Sequence, residues 1–432
     1  MVIIGHHGAS RDLSASSPAS RAALNFAAPA GVLGLALLLA EHLPDRPGAL
    51  SALRAFGPAL VLFVGALVSL AFRRGRALFA ILSLAVAYAV LRFLLHGEAS
   101  GFVARTLGGA AAILVPLNIA VYSLVQERGA LNVYGLRRGA LILFECLLVL
   151  VLLDRQTEIT DLIFYPLFGA LSFWDARLPQ LALPVTALAL LVTGLNATIR
   201  NAPIDAAFCG AIVAFAVASA ALSAPEGLAI YVAAAGGMIT VGVLQDSYRM
   251  AFHDELTGLP GRRALNERML SLAGRYTIAM VDVDHFKSFN DRWGHDVGDQ
   301  VLKLVASRLR HPGRGGQAYR YGGEEFALLF PGRRLLEVLP RLQSLRRDIE
   351  NYRFLIREGR RVERDSPKAR AAMPADAPRT PASVTVSVGV AERNEHQSTP
   401  GEVLKAADAA LYRAKAEGRN RICRWPSATP LP

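Results

Sequence analysis

Tyr319-Arg320-Tyr321-Gly322-Gly323-Glu324-Glu325-Phe326-Ala327-Leu328-Leu329-Phe330 sets two glycines and two adjacent carboxylates between aromatic and aliphatic flanks. Such a run predicts a β-hairpin whose tight turn carries the acids. The glycines permit positive φ and let a ligand approach the backbone with no Cβ in the way. Two neighbouring glutamates repel one another unless a cation sits between them. A solvated hairpin tip accounts for these four residues equally well, so the reading turns on a second stretch.

That stretch is Thr277-Ile278-Ala279-Met280-Val281-Asp282-Val283-Asp284-His285-Phe286-Lys287. It begins as an apolar strand and ends in two aspartates spaced i, i+2, which a strand places on one face. Asp282 at the end of a buried strand, beside a glutamate on a neighbouring hairpin, would form an oxygen-rich site for a hard cation. Mg²⁺ suits it, because that ion takes one or two protein carboxylates and completes its shell with substrate phosphates and water.

Asp282-Val283-Asp284-His285-Phe286-Lys287, Asn290-Asp291, Gly294-His295, Gly298-Asp299 and Gly322-Gly323-Glu324-Glu325-Phe326 together resemble the GGDEF-domain diguanylate cyclases. Asp254-Glu255-Leu256-Thr257-Gly258-Leu259-Pro260 and Ala407-Asp408-Ala409-Ala410-Leu411-Tyr412-Arg413-Ala414-Lys415, followed by Gly418-Arg419-Asn420, extend the likeness over residues 252–423. Ordered motifs in one run are far more specific than a lone glycine-rich turn. The resemblance implies a palm-like α/β (α+β) domain that condenses two GTP into cyclic di-GMP and releases two pyrophosphates. It implies Mg²⁺ (or Mn²⁺) held by Asp282, Glu324 and the Val283 carbonyl. Glu325 would assist the metal or take the 3′-hydroxyl proton, so Asp282, Glu324 and Glu325 form the expected catalytic set. Backbone N–H groups near His285 and Phe286, with Lys287, Lys415 and Arg419, would hold the phosphates, and Gly322 and Gly323 would lie against the substrate. Asn290 and Asp299 would read the guanine edge. Each domain would hold one GTP, which implies a homodimer through the catalytic domains. The alternative is a catalytically silent receptor that binds GTP or a partner.

The sequence departs from the family pattern in two places. Arg310-His311-Pro312-Gly313-Arg314-Gly315-Gly316-Gln317 lacks the Arg-x-x-Asp product-inhibition motif, so weak or absent feedback is expected. Gly261 stands where the family usually has Asn.

The other half of the chain has a different character. The 432 residues are 53% hydrophobic and only 19% charged, with a net charge of +12. Apolar runs near 22–41, 55–72, 77–96, 103–125, 137–153, 179–198, 206–223 and 228–246 predict a membrane all-α bundle of about eight passes, the fifth being short. Arg73, Arg74 and Arg76, then Arg128, Arg137 and Arg138, then Arg200 fall in alternate loops. The intervening loops hold Glu98, or Asp154, Glu158, Asp161 and Asp175, or Glu226. The positive-inside rule puts the N-terminus, these arginines and the C-terminal domain in the cytoplasm of a bacterial inner membrane. The basic balance is thereby read as topology, and no nucleic-acid partner is expected. Cys146, Cys209 and Cys423 lie too far apart for a disulfide or zinc framework.

The resulting plan is a tail at 1–22, with His6 and His7 read as solvated, and a multi-pass sensory region at 23–246. A short linker helix at 247–256 leads to the cyclase domain at 257–425, and a tail occupies 426–432. Within the domain, 357–382, with seven basic and four acidic residues, reads as a disordered insertion. In the membrane half, Arg92 is expected to snorkel and Glu145 to pair with a polar group or serve a ligand. Pro116, Pro166 and Pro184 are expected to kink or end helices.

Overall fold

The computed structural model describes residues 23–42, 49–96, 101–155, 163–165, 167, 179–220, 225–357 and 379–425. His6, His7, Pro166, residues 358–378 of the insertion and the 426–432 tail lie outside them. The chain divides into two compact units, Met1–Tyr248 and Arg249–Pro432.

The N-terminal unit contains α1 (Ala27–His42), α2 (Ala49–Ala71), α3 (Gly75–His96), α4 (Gly101–Leu124), α5 (Val133–Arg155), α6 (Ala182–Arg200), α7 (Pro203–Ala220) and α8 (Pro225–Phe252). Each expected apolar run holds a helix among the described residues, and six of these helices are long and apolar enough to cross a membrane. The expectation of about eight passes is therefore not confirmed. In α2 the stretch Phe56–Ala71 is apolar. In α5, Arg137, Arg138, Glu145 and Asp154 interrupt the apolar run. Pro116 lies inside the continuous helix α4 and ends nothing, whereas Pro184 falls in the first turn of α6, where a missing N–H costs no helical hydrogen bond.

Small residues pack this bundle. Ala206, Ala207, Ala211, Ala214 and Ala218 of α7 are fully covered, as expected for a helix apolar all round. Arg74 and Arg76, which the sequence places in a loop, are largely buried and ion-paired. Arg74 meets Asp246 at 2.7 Å, and Arg76 meets Asp205 at 3.2 Å and Glu127 at 3.6 Å. Asp205 is fully buried, with Arg200 at 3.9 Å. Buried charge survives only when paired, so these arginines also hold the helices together. Arg92 reaches Tyr88 Oη at 3.4 Å.

The C-terminal unit runs α9 (Arg262–Leu270), β1 (Tyr276–Val283), α10 (Phe286–Trp293), α11 (His295–Leu309), β2 (Gln317–Arg320), β3 (Glu325–Pro331), α12 (Leu335–Glu350), β4 (Phe354–Arg357), β5 (Arg379–Ala382), β6 (Val386–Glu392), α13 (Pro400–Ala416) and β7 (Ile422–Trp425). Its main sheet has five strands in the order β2-β3-β1-β6-β7. The pairings are antiparallel except for the parallel β6–β7 pair. This is the antiparallel-centred palm expected from the order of elements. Every residue of β1 is buried, as expected for a central strand covered by helices on both faces. One face carries Val281, Phe326, Leu328 and Val388 against α11 and α12, and the other carries Ile278, Met280 and Leu329 against α13. The expected insertion begins and ends in structure: Phe354–Arg357 and Arg379–Ala382 pair antiparallel as a separate ribbon. Residues 379–382 are therefore strand, a correction to the disorder expected there.

Candidate functional site

Strand register brings the acids together. Asp282, the penultimate residue of β1, lies directly opposite Glu325, the first residue of β3. Directly opposed residues on antiparallel strands share a face. Glu324 occupies the turn just before β3, and its carbonyl accepts from Val283 N at 3.3 Å. The hairpin is as expected, but neither Gly322 nor Gly323 has a positive φ, so the need for glycine is spatial. A Cβ on Gly322 would lie 2.9 Å from Glu325 Oε2, whereas one on Gly323 would meet nothing within 4 Å. Gly323 leaves open space for a ligand.

Arg320 braces this tip. Its guanidinium donates to the carbonyls of Gly322 at 3.2 Å and Gly323 at 2.7 Å, and to Asp254 Oδ1 at 2.7 Å. Asp254 also accepts from Thr257 N at 2.8 Å and Thr257 Oγ1 at 2.6 Å. Burial opposes ionisation of Asp254, but the bonds from Thr257 and Arg320 win and hold its carboxyl below the usual range. The Asp254–Thr257 segment thus fixes the hairpin. The sequence signalled it as a motif without giving that reason.

Helix α13 supplies the cations. Its N-terminus is fixed by a capping box between Thr399 and Glu402. Near its other end Lys415 Nζ lies 2.8 Å from Asp282 Oδ2. Arg419 follows in a turn at φ 63°, and its charge also acts on Asp282. Burial nevertheless pushes the Asp282 carboxyl up, against the pull of Lys415. Burial also raises Glu324 and Glu325, and the Asp282 charge adds to both. Three acids that resist ionising together form a donor set that suits a divalent cation.

The spacing put Asp284 on one strand face with Asp282 and gave it no role; the structure supplies one. Its buried carboxylate accepts from Thr385 Oγ1 at 2.7 Å, Ser387 Oγ at 2.6 Å and Asn420 N at 3.1 Å. It therefore anchors the turn that carries Arg419. Asn420 Nδ2 donates to Glu350 Oε1 at 2.7 Å, and Arg346 donates to both Asn420 and Glu350. Sequence reasoning missed Arg320, Arg346 and Glu350, since isolated charges on strands and helices read as solvated.

The remaining residues line α10 and α11. His285 adopts a left-handed conformation at φ 55° and starts α10, so β1 runs straight into that helix. Phe286 is buried in the core, leaving its backbone N–H as the group available to a ligand; Lys287 and Asp299 are exposed. Asn290 is half-buried, and its Oδ1 is a covered acceptor with no donor among the described residues. A Cβ on Gly298 would fall 1.8 Å from that oxygen, so glycine there lets the Asn290 side chain occupy its place. Among the described residues, no three His, Cys, Asp or Glu side chains are already gathered as a metal cluster. Lys415 holds Asp282 instead. The acids fit the ion as a partial set that phosphate oxygens, water and the Val283 carbonyl would complete.

A sheet of this order, with acids at the end of its central pair and cations on the helix beside them, is a palm-like domain. More particularly, the C-terminal unit is a GGDEF domain: residues 251–366 and 360–421 match the family Diguanylate cyclase, GGDEF domain. The response regulator PleD of Caulobacter vibrioides is 34% identical over 187 residues, 41% of this chain and 37% of its own length. Diguanylate cyclase VdcA of Vibrio cholerae is 38% identical over 176 residues, covering 40% of this chain and 46% of the relative. The chain therefore spans less than half the length of these curated relatives. The crystal structure of the coiled coil and GGDEF domain of DgcB from Caulobacter crescentus, in complex with c-di-GMP, shares 32% identity. It covers 42% of this chain and 89% of that one, with a TM-score of 0.35.

Proposed function

We propose that this protein is a membrane-bound diguanylate cyclase whose N-terminal bundle is an input module. It would lie in a bacterial inner membrane with the catalytic domain in the cytoplasm. The observation that carries the reading is the convergence of Asp282 and Glu325 across one strand pair, with Glu324 in the adjoining turn and Lys415 at hand. Asp282, Glu324 and the Val283 carbonyl would hold Mg²⁺ or Mn²⁺, with Glu325 in support. When bound, the ion neutralises charge developing on the phosphates.

The chain's own residues do the positioning on which phosphoryl transfer chiefly depends. Lys287, the N–H groups at the start of α10, and Lys415 and Arg419 hold the terminal phosphates. Asn290 Oδ1 accepts from a guanine N–H, and the Asp299 carboxylate accepts from guanine N1–H and its 2-amino group. Adenine offers neither arrangement, so GTP is favoured over ATP. The 3′-hydroxyl oxygen of one GTP forms a bond to the α-phosphorus of the other, the bond to pyrophosphate breaks, and the hydroxyl proton passes to Glu325. Repetition in the opposite sense closes the ring. One nucleotide per domain requires two subunits face to face. With no Arg-x-x-Asp before the hairpin, product inhibition by that route is weak.

The full chain in lipid nanodiscs, given GTP and Mg²⁺, is expected to yield cyclic di-GMP and pyrophosphate, and Glu324→Ala to abolish both. GTP binding without product from the wild type would establish the silent receptor instead. Equal product from both proteins would remove the metal assignment.

A further inference from the structure

Between α3, α4 and α5 of the N-terminal unit lies a cavity of about 210 Å³. Most of its wall is hydrocarbon, as at Val90, Leu107 and Leu114, but Ser83, Asn118 and Glu145 bring polar groups into it from three different helices. Asn118 Nδ2 donates to Glu145 Oε2 at 2.7 Å and lies 3.4 Å from Ser83 Oγ. Ser83 Oγ accepts that contact and donates to the Phe79 carbonyl at 3.0 Å, which leaves it one further lone pair to accept with. Leu143, Phe144, Leu147 and Leu148 surround Glu145 in sequence and are exposed, so the acid sits in an apolar belt of α5.

Glu145 differs from the buried acids elsewhere in the same unit. Asp205 and Asp246 each have an arginine partner. Among the described residues, Glu145 pairs with no Lys, Arg or His, and Asn118 is its hydrogen-bond donor. A carboxylate drawn partly out of water is expensive without a countercharge, and a few polar groups converging on a mostly apolar cavity mark a binding site. We propose that this cavity binds a small organic monocation: a primary ammonium on a compact hydrocarbon body. The ammonium has three donors, enough to engage Glu145 and Ser83 together, and the hydrocarbon fills the apolar remainder. A dry cavity of about 150 Å³ accepts benzene, so this one has room for an alkyl chain of roughly six carbons. The proposal concerns binding alone and stands whether or not the cyclase domain turns over GTP.

Hexylammonium is the probe, with hexanol and hexanoate as matched controls, on the full chain in lipid nanodiscs. Hexylammonium is expected to raise the thermal midpoint of the wild type at concentrations where the two controls do not. Glu145→Gln should weaken that response at least tenfold, and Ala110→Phe, which fills the cavity, should remove it. Cys146 also lines the space. In a Cys209→Ser, Cys423→Ser background, hexylammonium should slow alkylation of Cys146 by N-ethylmaleimide, which reports occupancy without any change at Glu145. Equal stabilisation by all three hexyl compounds, tighter binding of hexanoate, or an undiminished response in both variants would overturn the proposal.

Discussion

Replacing Gly389 with alanine tests how the cyclase unit is assembled. Gly389 sits in β6 opposite Met280 of β1, and α13 crosses over it. An added Cβ would lie 2.1 Å from the Ala407 carbonyl oxygen, 2.1 Å from Leu411 N and 2.7 Å from Leu411 Cα. All three are backbone atoms, so no side-chain rotation relieves the clash, and strand and helix must separate by more than an ångström. Overpacking of this kind costs about 1–3 kcal/mol and sometimes more. For a domain of this size each kcal/mol shifts the melting temperature by about 2–4 °C, so a fall of roughly 2–12 °C is expected. Because α13 carries Lys415 and leads to Arg419, cyclic di-GMP synthesis should fall even below the melting transition. Gly323→Ala is the control: its Cβ meets nothing, so stability should hold while nucleotide binding weakens. Melting would be followed by circular dichroism and turnover by pyrophosphate release. A Gly389→Ala protein with wild-type melting and turnover would refute the close backbone approach of β6 and α13.

Further outcomes follow from the charges. Asp282, Glu324 and Glu325 hold their protons more tightly folded than unfolded. Without divalent cation their contribution is therefore present below the ordinary carboxylate range and is lost as pH rises through the raised values. Glu324→Gln should flatten that decline in a melting series from acid to neutral pH and remove the stabilisation by Mg²⁺ at neutrality; a wild-type slope in the variant would contradict it. Arg320→Ala cuts the hairpin tip from Asp254, and losing these charge-assisted bonds should cost about 1.5–3 kcal/mol by denaturant titration, with lower turnover. In the membrane unit, Asp205→Asn leaves Arg76 with weakened compensation. A loss of about 3–5 kcal/mol is the usual scale for breaking a buried pair, readable as earlier thermal aggregation in detergent.

Much of the catalytic unit was legible because its signals are local. Continuous apolar runs mark β1 and β3, β-branched alternation marks β6, Gly-Gly marks the hairpin, and short polar motifs sit where strands end. Other features depended on partners remote in sequence. Asp284 looked equivalent to Asp282 by spacing, yet Thr385, Ser387 and Asn420 hold it. Gly322 and Gly323 suggested a special φ, whereas the structure shows a need for space. In the membrane unit the apolar runs gave the helices, but periodicity counts residues without reporting which helices meet. The arginine clusters therefore read as loop charge when Arg74 and Arg76 are matched by Asp246 and Asp205 from distant helices.

By itself the chain's order of residues determined which segments are strand, helix or hydrocarbon-compatible, and which side chains bear the chemistry. Those properties are written in periodicities of a few residues. Tertiary structure alone decided that Lys415 meets Asp282, that Arg320 clamps the hairpin, and that Glu145 faces a cavity with Asn118 as its donor. Each pairing joins residues far apart along the chain, and its energy depends on burial and distance, which exist only once the chain has packed.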